Sequence, residues 1–245
     1  MLSLSLKYDI DNTAWPPVFW PTEPTLENFA KVFEESPMFL YFWNSVQVTG
    51  SATLVALLLG VPAGYGIAKA RAHKMAAVLL LSRMTPGLSY LIPLFTLFQV
   101  LGLIGTIWPI ALTHMVITLP IVVWIMIGFF ETQPHELEEA ARIDGATGLQ
   151  SLLRVFLPLA LPALSVTGIF VFIYAWNEFV LALTLLRSPE KFTLPLKVFS
   201  LVGGAYRIDW EYVMAATFLA SVPAAVVFSW LQRYLVRGLA LGSVK

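Results

Sequence analysis

Charged side chains are absent from four stretches of the chain: 33 consecutive positions over 36–68, 47 over 84–130, 23 over 155–177 and 21 over 212–232. A helix that crosses a bilayer needs about 20 predominantly apolar residues. The 47-residue interval therefore holds two spans, divided by a turn near Gly102-Leu103-Ile104-Gly105-Thr106. Five helices are predicted, near 46–68, 78–101, 107–130, 155–182 and 212–232. No ten-residue alternation of apolar and polar positions occurs, which excludes a transmembrane β-barrel. The pattern predicts an all-α integral membrane protein with a single transmembrane domain over 1–245.

The polar segments between spans set the topology, because Lys and Arg concentrate in cytoplasmic loops. The first short loop, Lys69-Ala70-Arg71-Ala72-His73-Lys74, is basic, and the C-terminal segment carries Arg233, Arg237 and Lys245. Five spans put both on one side, so 69–77, 131–154 and 233–245 are expected in the cytoplasm. The 1–45 tail, the 102–106 turn and the 183–211 loop are expected outside. Spans one to three then fill 46–130, and spans four and five fill 155–232. A tail outside with nothing before it to carry it across is awkward, and Met1-Leu2-Ser3-Leu4-Ser5-Leu6-Lys7 lacks the form of a cleavable signal peptide. The expectation is that a first transmembrane helix precedes this sequence. Within the tail, Trp15-Pro16-Pro17 and Trp20-Pro21 forbid a regular helix over 15–21. Thr25 is placed to cap a short interfacial helix with Leu26, Phe29, Val32 and Phe33 on one stripe. Tyr41, Phe42 and Trp43 read as an aromatic belt.

Composition agrees: 58% of residues are hydrophobic, 12% are charged, and the mean hydropathy is +0.77. Soluble domains carry about 25% charge. Fifteen Lys+Arg balance fifteen Asp+Glu, which gives no basic surplus for nucleic acid. There is no cysteine, hence no disulfide framework and no thiolate metal site.

The 131–154 loop is unusual. It holds Glu131, Glu136, Glu138, Glu139 and Asp144 against Arg142 and Arg154, whereas a helix meant for anionic lipid would be basic. An acidic element is repelled from that surface and offered to a protein. Pro134 is predicted at the first helical position with acids after it, and Glu138 and Arg142 are spaced to pair at i,i+4. Gly145 suits the end of the helix, and Thr147-Gly148-Leu149-Gln150 fits a capping box that restarts it. Ala140, Ala141, Gly145 and Ala146 remove side-chain bulk from the tip, as insertion into a partner's groove requires.

The run Glu139-Ala140-Ala141, three residues, Gly145, nine residues, Val155-Phe156-Leu157-Pro158 resembles the EAA motif, EAA---G---------I-LP, with Val155 in place of Ile. That motif belongs to the membrane subunits of bacterial ABC importers that work with a binding protein. Trp20 to Phe29, Asp144-Gly145-Ala146, Ala175-Trp176-Asn177-Glu178-Phe179 and Gln232 to Leu239 are similar to the carbohydrate, maltose-transporter-like branch. The resemblance implies a type I ABC importer transmembrane fold, normally of six spans, in a bacterial inner membrane. It implies a second permease, usually in a heterodimer, two ATPase subunits, and a periplasmic or lipid-anchored solute-binding protein. Glu139, Ala140, Ala141, Asp144, Gly145, Ala146, Leu157 and Pro158 would couple to the ATPase. The 183–211 loop, with its Gly203-Gly204 pair, would meet the binding protein or serve as a plain connection.

Candidates for lining a solute pathway are Asn44, Gln47, Ser89, Tyr90, Gln99, His114, Tyr174, Asn177 and Glu178, since polar groups within spans either mark pathways or bond helix to helix. Asn177 and Glu178 either sit in interfacial water or line a cavity. Arg83 is expected to snorkel, and Thr85-Pro86-Gly87 to break its helix. Pro158 and Pro162 are expected to kink or start the fourth span. Gly60, Gly64 and Gly66 form a small-residue packing face. A stand-alone carrier or channel is the competing class, although no internal repeat or mid-membrane acid pair supports it. His135-Glu136-Leu137-Glu138-Glu139 falls short of H-E-x-x-H, Gly87-Leu88-Ser89-Tyr90-Leu91 fails G-x-S-x-G, and no Walker loop occurs. The chain is therefore expected to bind no metal or cofactor and to perform no catalysis, with ATP and Mg used by a separate subunit.

Overall fold

The structure, a computed structural model, describes residues 1–202 and 208–242, and leaves the side chains of 13, 231 and 233–242 outside that description. Among the described residues the regular structure is helical, without strands. After two short turns, Leu2–Ser5 and Asp9–Thr13, the principal helices are α1 (Glu27–Glu35), α2 (Met38–Lys69), α3 (His73–Ser82), α4 (Leu91–Val100) and α5 (Trp108–Glu131). There follow α6 (His135–Ile143), α7 (Gly148–Leu159), α8 (Leu161–Trp176), α9 (Val180–Leu185), α10 (Leu194–Val202) and α11 (Trp210–Gly242). Three helices are long and apolar enough to cross a membrane, or five spans if each of two bent pairs counts as one.

The bends correct the predicted boundaries. The second predicted span, 78–101, is a broken pair: His73–Ser82 and Gly87–Val100 meet at 82°. Pro86 disfavours the α region at Thr85 before it, so the helix stops and restarts through a 3₁₀ turn at Gly87–Tyr90. The fourth, 155–182, is likewise two helices at 81°, Gly148–Leu159 and Leu161–Trp176. Pro162 stands in the first turn of α8, where a missing N–H costs nothing, and α8 ends at Trp176 instead of continuing to 182. The first span begins at Met38, directly after Pro37, instead of 46, so Tyr41, Phe42 and Trp43 are part of it. The last continues as helix to Gly242, ten residues past its predicted end at 232.

The chain forms two compact units. The first comprises Met1–Val48, Phe98–Ile110 and Trp176–Val227. It gathers the three segments that loop charge assigns to one face, namely the 1–45 tail, the 102–106 turn and the 183–211 loop; Gly203 and Gly204 lie outside the described residues. Two of its buried polar side chains are tied to backbone. The Asn44 amide donates to the carbonyls of Glu190 (2.8 Å) and Phe192 (3.0 Å), and the Ser45 hydroxyl accepts from the Leu194 N–H at 2.8 Å. The Thr25 hydroxyl accepts from the Glu27 N–H at 3.1 Å, but the N-cap position of α1 is Leu26, one residue after the expected cap. The expected stripe on α1 is rotated as a result: Val32 is buried with Asn28, while Leu26 and Phe33 are exposed.

The second unit comprises Thr49–Leu97, Ala111–Ala175 and Phe228–Lys245. Its core joins Val61 and Tyr65 of α2, Met126 and Phe130 of α5, and Leu152, Phe156 and Ala160 from the α7 region. The four-residue spacing of the last three puts them on one helical stripe. Gly60 and Gly64 allow α2 and α5 to approach: a Cβ on Gly64 would sit 2.7 Å from Met126 Cβ, and one on Gly60 would collide with Val122. Gly66 faces open space and takes no part. Leu54, Leu58, Leu59, Val78, Leu81 and Phe228 are exposed, an apolar surface suited to lipid or a membrane partner.

Candidate functional site

The loop between α5 and α8 is built from two helix ends back to back. Pro134 occupies the N-cap position of α6, one residue before the predicted one, with Glu136 and Glu138 in the first turn. At the other end Gly145 adopts φ +78°. The Ala146 N–H donates to the Ala141 carbonyl (2.9 Å) and the Gly145 N–H to that of Arg142 (3.0 Å), which is the Schellman pattern. Thr147 then opens α7 with a reciprocal capping box: its N–H donates to Gln150 Oε1 at 2.8 Å and its hydroxyl accepts from the Gln150 N–H at 3.3 Å. A π-helical turn, Leu152–Phe156, precedes Pro158 and spares this proline part of the clash with the carbonyl four residues back.

One carboxylate fixes this element to the membrane helices. Glu138 Oε1 lies 2.7 Å from Lys69 Nζ and 2.7 Å from an Arg142 guanidinium nitrogen, with its side chain only 12% exposed. Lys69 is the last residue of α2 and lies over the Tyr65 ring, 5.6 Å from its centroid. Tyr65 in turn packs edge-on to Phe130 and against Phe156. Burial pushes the Glu138 carboxyl up, but the Lys69 and Arg142 charges outweigh it and hold it below the usual carboxylate range. Glu138–Arg142 was legible from spacing. Lys69, 69 positions away, was not, and no local signal points to it.

The EAA-type residues divide by exposure. Ala141 is buried, and Ala146 and Leu157 are half-buried, whereas Glu139, Ala140, Asp144, Gly145 and Pro158 are exposed. Ile143 (86% exposed) and Leu149 (63%) project beside them. The exposed side thus carries an apolar knob flanked by Glu136, Glu139 and Asp144.

The pathway candidates are scattered. Asn44 spends its amide donors on carbonyls, as above. Glu178 accepts from the N–H groups of Leu181 (2.6 Å) and Ala182 (3.3 Å), so it caps α9 and explains why α8 does not run on to 182. The Tyr90 hydroxyl donates to the Ser82 carbonyl (3.1 Å) across the α3–α4 break. Ser89, Gln99 and Asn177 are exposed and Gln47 is half-buried. Tyr174 stacks on Phe170 and meets His114 edge-on at 5.8 Å. Arg83 does not snorkel: it donates to the Ile117 carbonyl at 3.1 Å and lies over the Tyr174 ring at 5.6 Å. Pro120 within α5 supplies no N–H to the Val116 carbonyl, one residue from the Ile117 carbonyl that Arg83 reaches. Sequence reasoning missed this acceptor for Arg83, which lies 34 residues away, and no local signal points to it.

The family described as binding-protein-dependent transport system inner membrane component matches residues 56–241. The sulfoquinovosyl glycerol transport system permease protein SmoH of Agrobacterium fabrum is 33% identical over 249 residues, covering 100% of this chain and 87% of that one. The diacetylchitobiose uptake system permease protein DasC of Streptomyces coelicolor is 32% identical over 248 residues, covering 100% and 90%. Among solved structures, a bacterial ABC transporter involved in import of the acidic polysaccharide alginate aligns with a TM-score of 0.79 at 25% identity, over 95% of this chain and 88% of that one.

Proposed function

The chain belongs to the family of binding-protein-dependent transport system inner membrane components, and on that premise we propose how its residues divide the work of import. It is a membrane permease of the ABC importer type with the type I importer fold. In the proposal it forms half of a pathway for a carbohydrate-like solute, a sugar, oligosaccharide or polyol. Relatives named for sulfoquinovosyl glycerol and diacetylchitobiose, and the structural likeness to an alginate importer, support that solute class. A second permease completes the pathway, a binding protein delivers the solute, and two ATPase subunits supply the energy from ATP and Mg. The basic 69–74 turn orients the 131–154 loop and the C-terminus toward the cytoplasm of a bacterial cell.

The observation that carries the reading is the construction of α6. Its inner side is locked to α2 through Glu138–Lys69, its end is fixed by the Schellman turn at Gly145, and its outer side presents Glu139, Ala140, Ile143 and Asp144. A rigid lever joined to a span, with a compact knob facing away, transmits the movement of a docked ATPase into the bundle; alternating access then follows from differential contacts in two states. The test is copurification of the tagged chain from its native membrane, with and without residues 136–146 replaced by a Gly/Ser linker. A Walker-containing ATPase that copurifies with the native chain and is lost from the variant supports the proposal. An ATPase retained by the variant removes the docking role from this element.

A further inference from the structure

A cavity of about 230 Å³ lies under α6, lined among others by Tyr65, Lys69, Arg71, His73, Glu131 and Glu138. We propose that it binds the phosphate of an anionic phospholipid headgroup, with Arg71 and the Tyr65 hydroxyl as ligands.

Three features point there. The first is conformational. Arg71 has φ +49° and is the only non-glycine residue with positive φ among the described residues. It stands at the end of α2 in the same double-bonded turn that ends α6: its N–H donates to the Ala68 carbonyl and that of Ala72 to the Ile67 carbonyl. Glycine is favoured at this position, and α6 indeed has Gly145 there. An arginine held in a left-handed conformation that glycine would relieve is strain of the kind that marks a working side chain.

The second is chemical. Of the two carboxylates of the cavity, Glu138 is already paired with Lys69 and Arg142, while Glu131 Oε1 lies 3.6 Å from His73 Nδ1, an ion pair only when that imidazole is protonated. The Arg71 guanidinium has no hydrogen bond or ion pair among the described residues. The Tyr65 hydroxyl is buried without a hydrogen-bond partner, an arrangement that calls for an acceptor such as a phosphate oxygen. The third is position. The cavity lies at the cytoplasmic-loop end of α2, Phe130 and Phe156 supply part of its lining, and α3, which begins at the lining residue His73, carries exposed Met75, Val78 and Leu81. A ligand with an anionic head and an acyl body fits that sequence of surfaces.

The test uses the full chain, purified in mild detergent, exchanged into an equimolar mixture of phosphatidylglycerol and phosphatidylcholine, and read by native mass spectrometry. The expected result is preferential retention of one phosphatidylglycerol, reduced about fivefold in Arg71→Gly and reduced also in Tyr65→Phe, while Arg71→Lys keeps most of it. Arg71→Gly relieves backbone strain, so its thermal stability in phosphatidylcholine should equal or exceed that of the parent, and loss of lipid then reports the side chain and not unfolding. Equal retention of the two lipids, or unchanged phosphatidylglycerol retention in Arg71→Gly and Tyr65→Phe, overturns the proposal. Displacement of the lipid by millimolar inorganic phosphate or glycerol 3-phosphate overturns the lipid assignment in favour of a free anion.

Discussion

Replacing Glu138 by Gln removes one charge from an oxygen that serves two cations at 2.7 Å each. Removing one member of a fully buried pair costs about 3–5 kcal/mol, because the remaining charge is stranded. Here the partners are not fully buried: the Lys69 side chain is 31% exposed and that of Arg142 60%. The Arg142 contact is an ordinary i,i+4 surface pair, worth about 0.3–0.5 kcal/mol. The Lys69 contact carries the rest, and discounting for water access brings the total to about 1–2 kcal/mol. A double-mutant cycle with Glu138→Gln and Lys69→Met, followed by denaturant titration in mixed micelles, isolates the pair. The expected coupling is about 1 kcal/mol or more, together with uncoupled ATPase activity in the assembled importer. Additivity within about 0.3 kcal/mol would refute the claim that this pair anchors α6. The pH dependence has a definite sign. The Glu138 carboxyl is lowered in the folded chain from 4.5, so its contribution is complete above that value and is lost as the pH falls through the folded one. Between pH 6 and 8 (roughly the physiological range) this group should leave stability flat.

Gly145→Ala should destabilise the α6 end by about 1 kcal/mol through its φ of +78° alone, since no atom lies within 4 Å of the added methyl; faster amide exchange over 135–146 with unchanged membrane insertion is the check. Gly64→Ala should cost about 1–3 kcal/mol by overpacking against Met126, and Gly66→Ala, which meets nothing within 4 Å, should be neutral or stabilising in the same thermal-shift series. Thr147→Ala should cost about 1 kcal/mol by removing the capping box. Arg83→Met should cost about 1–2 kcal/mol by removing the hydrogen bond to the Ile117 carbonyl and the contact over the Tyr174 ring; an unchanged thermal midpoint would show that Arg83 contributes nothing to holding its helix against α5.

The apolar segments, the acidic loop and its caps were legible in the sequence because each rests on near neighbours. Lipid requires uninterrupted apolar stretches, so charge-free intervals located three helices long enough to cross a membrane and two further segments that the structure breaks into bent pairs, five spans if each pair counts as one. The Gly145 turn, the Thr147–Gln150 box and the Glu138–Arg142 pair each close within five residues, and all three formed as their spacing dictates. Proline gave an intermediate case. Pro86 and Pro162 announced breaks, but not bends of 82° and 81°, because the angle depends on what packs against each half. Tertiary structure alone decided which polar groups had partners. Asn44 read as a pathway or helix-bonding group, Glu178 as interfacial or cavity-lining and Arg83 as a snorkeler, whereas their observed partners are carbonyls and N–H groups supplied by other elements or a later helix start. The same holds for Lys69 and Glu138: a contact across 69 residues carries no periodicity, and only the fold brings the two together. Hydrophobicity and local hydrogen bonding thus fixed what the elements are, and long-range packing fixed which of their polar groups remain available to a solute or a partner.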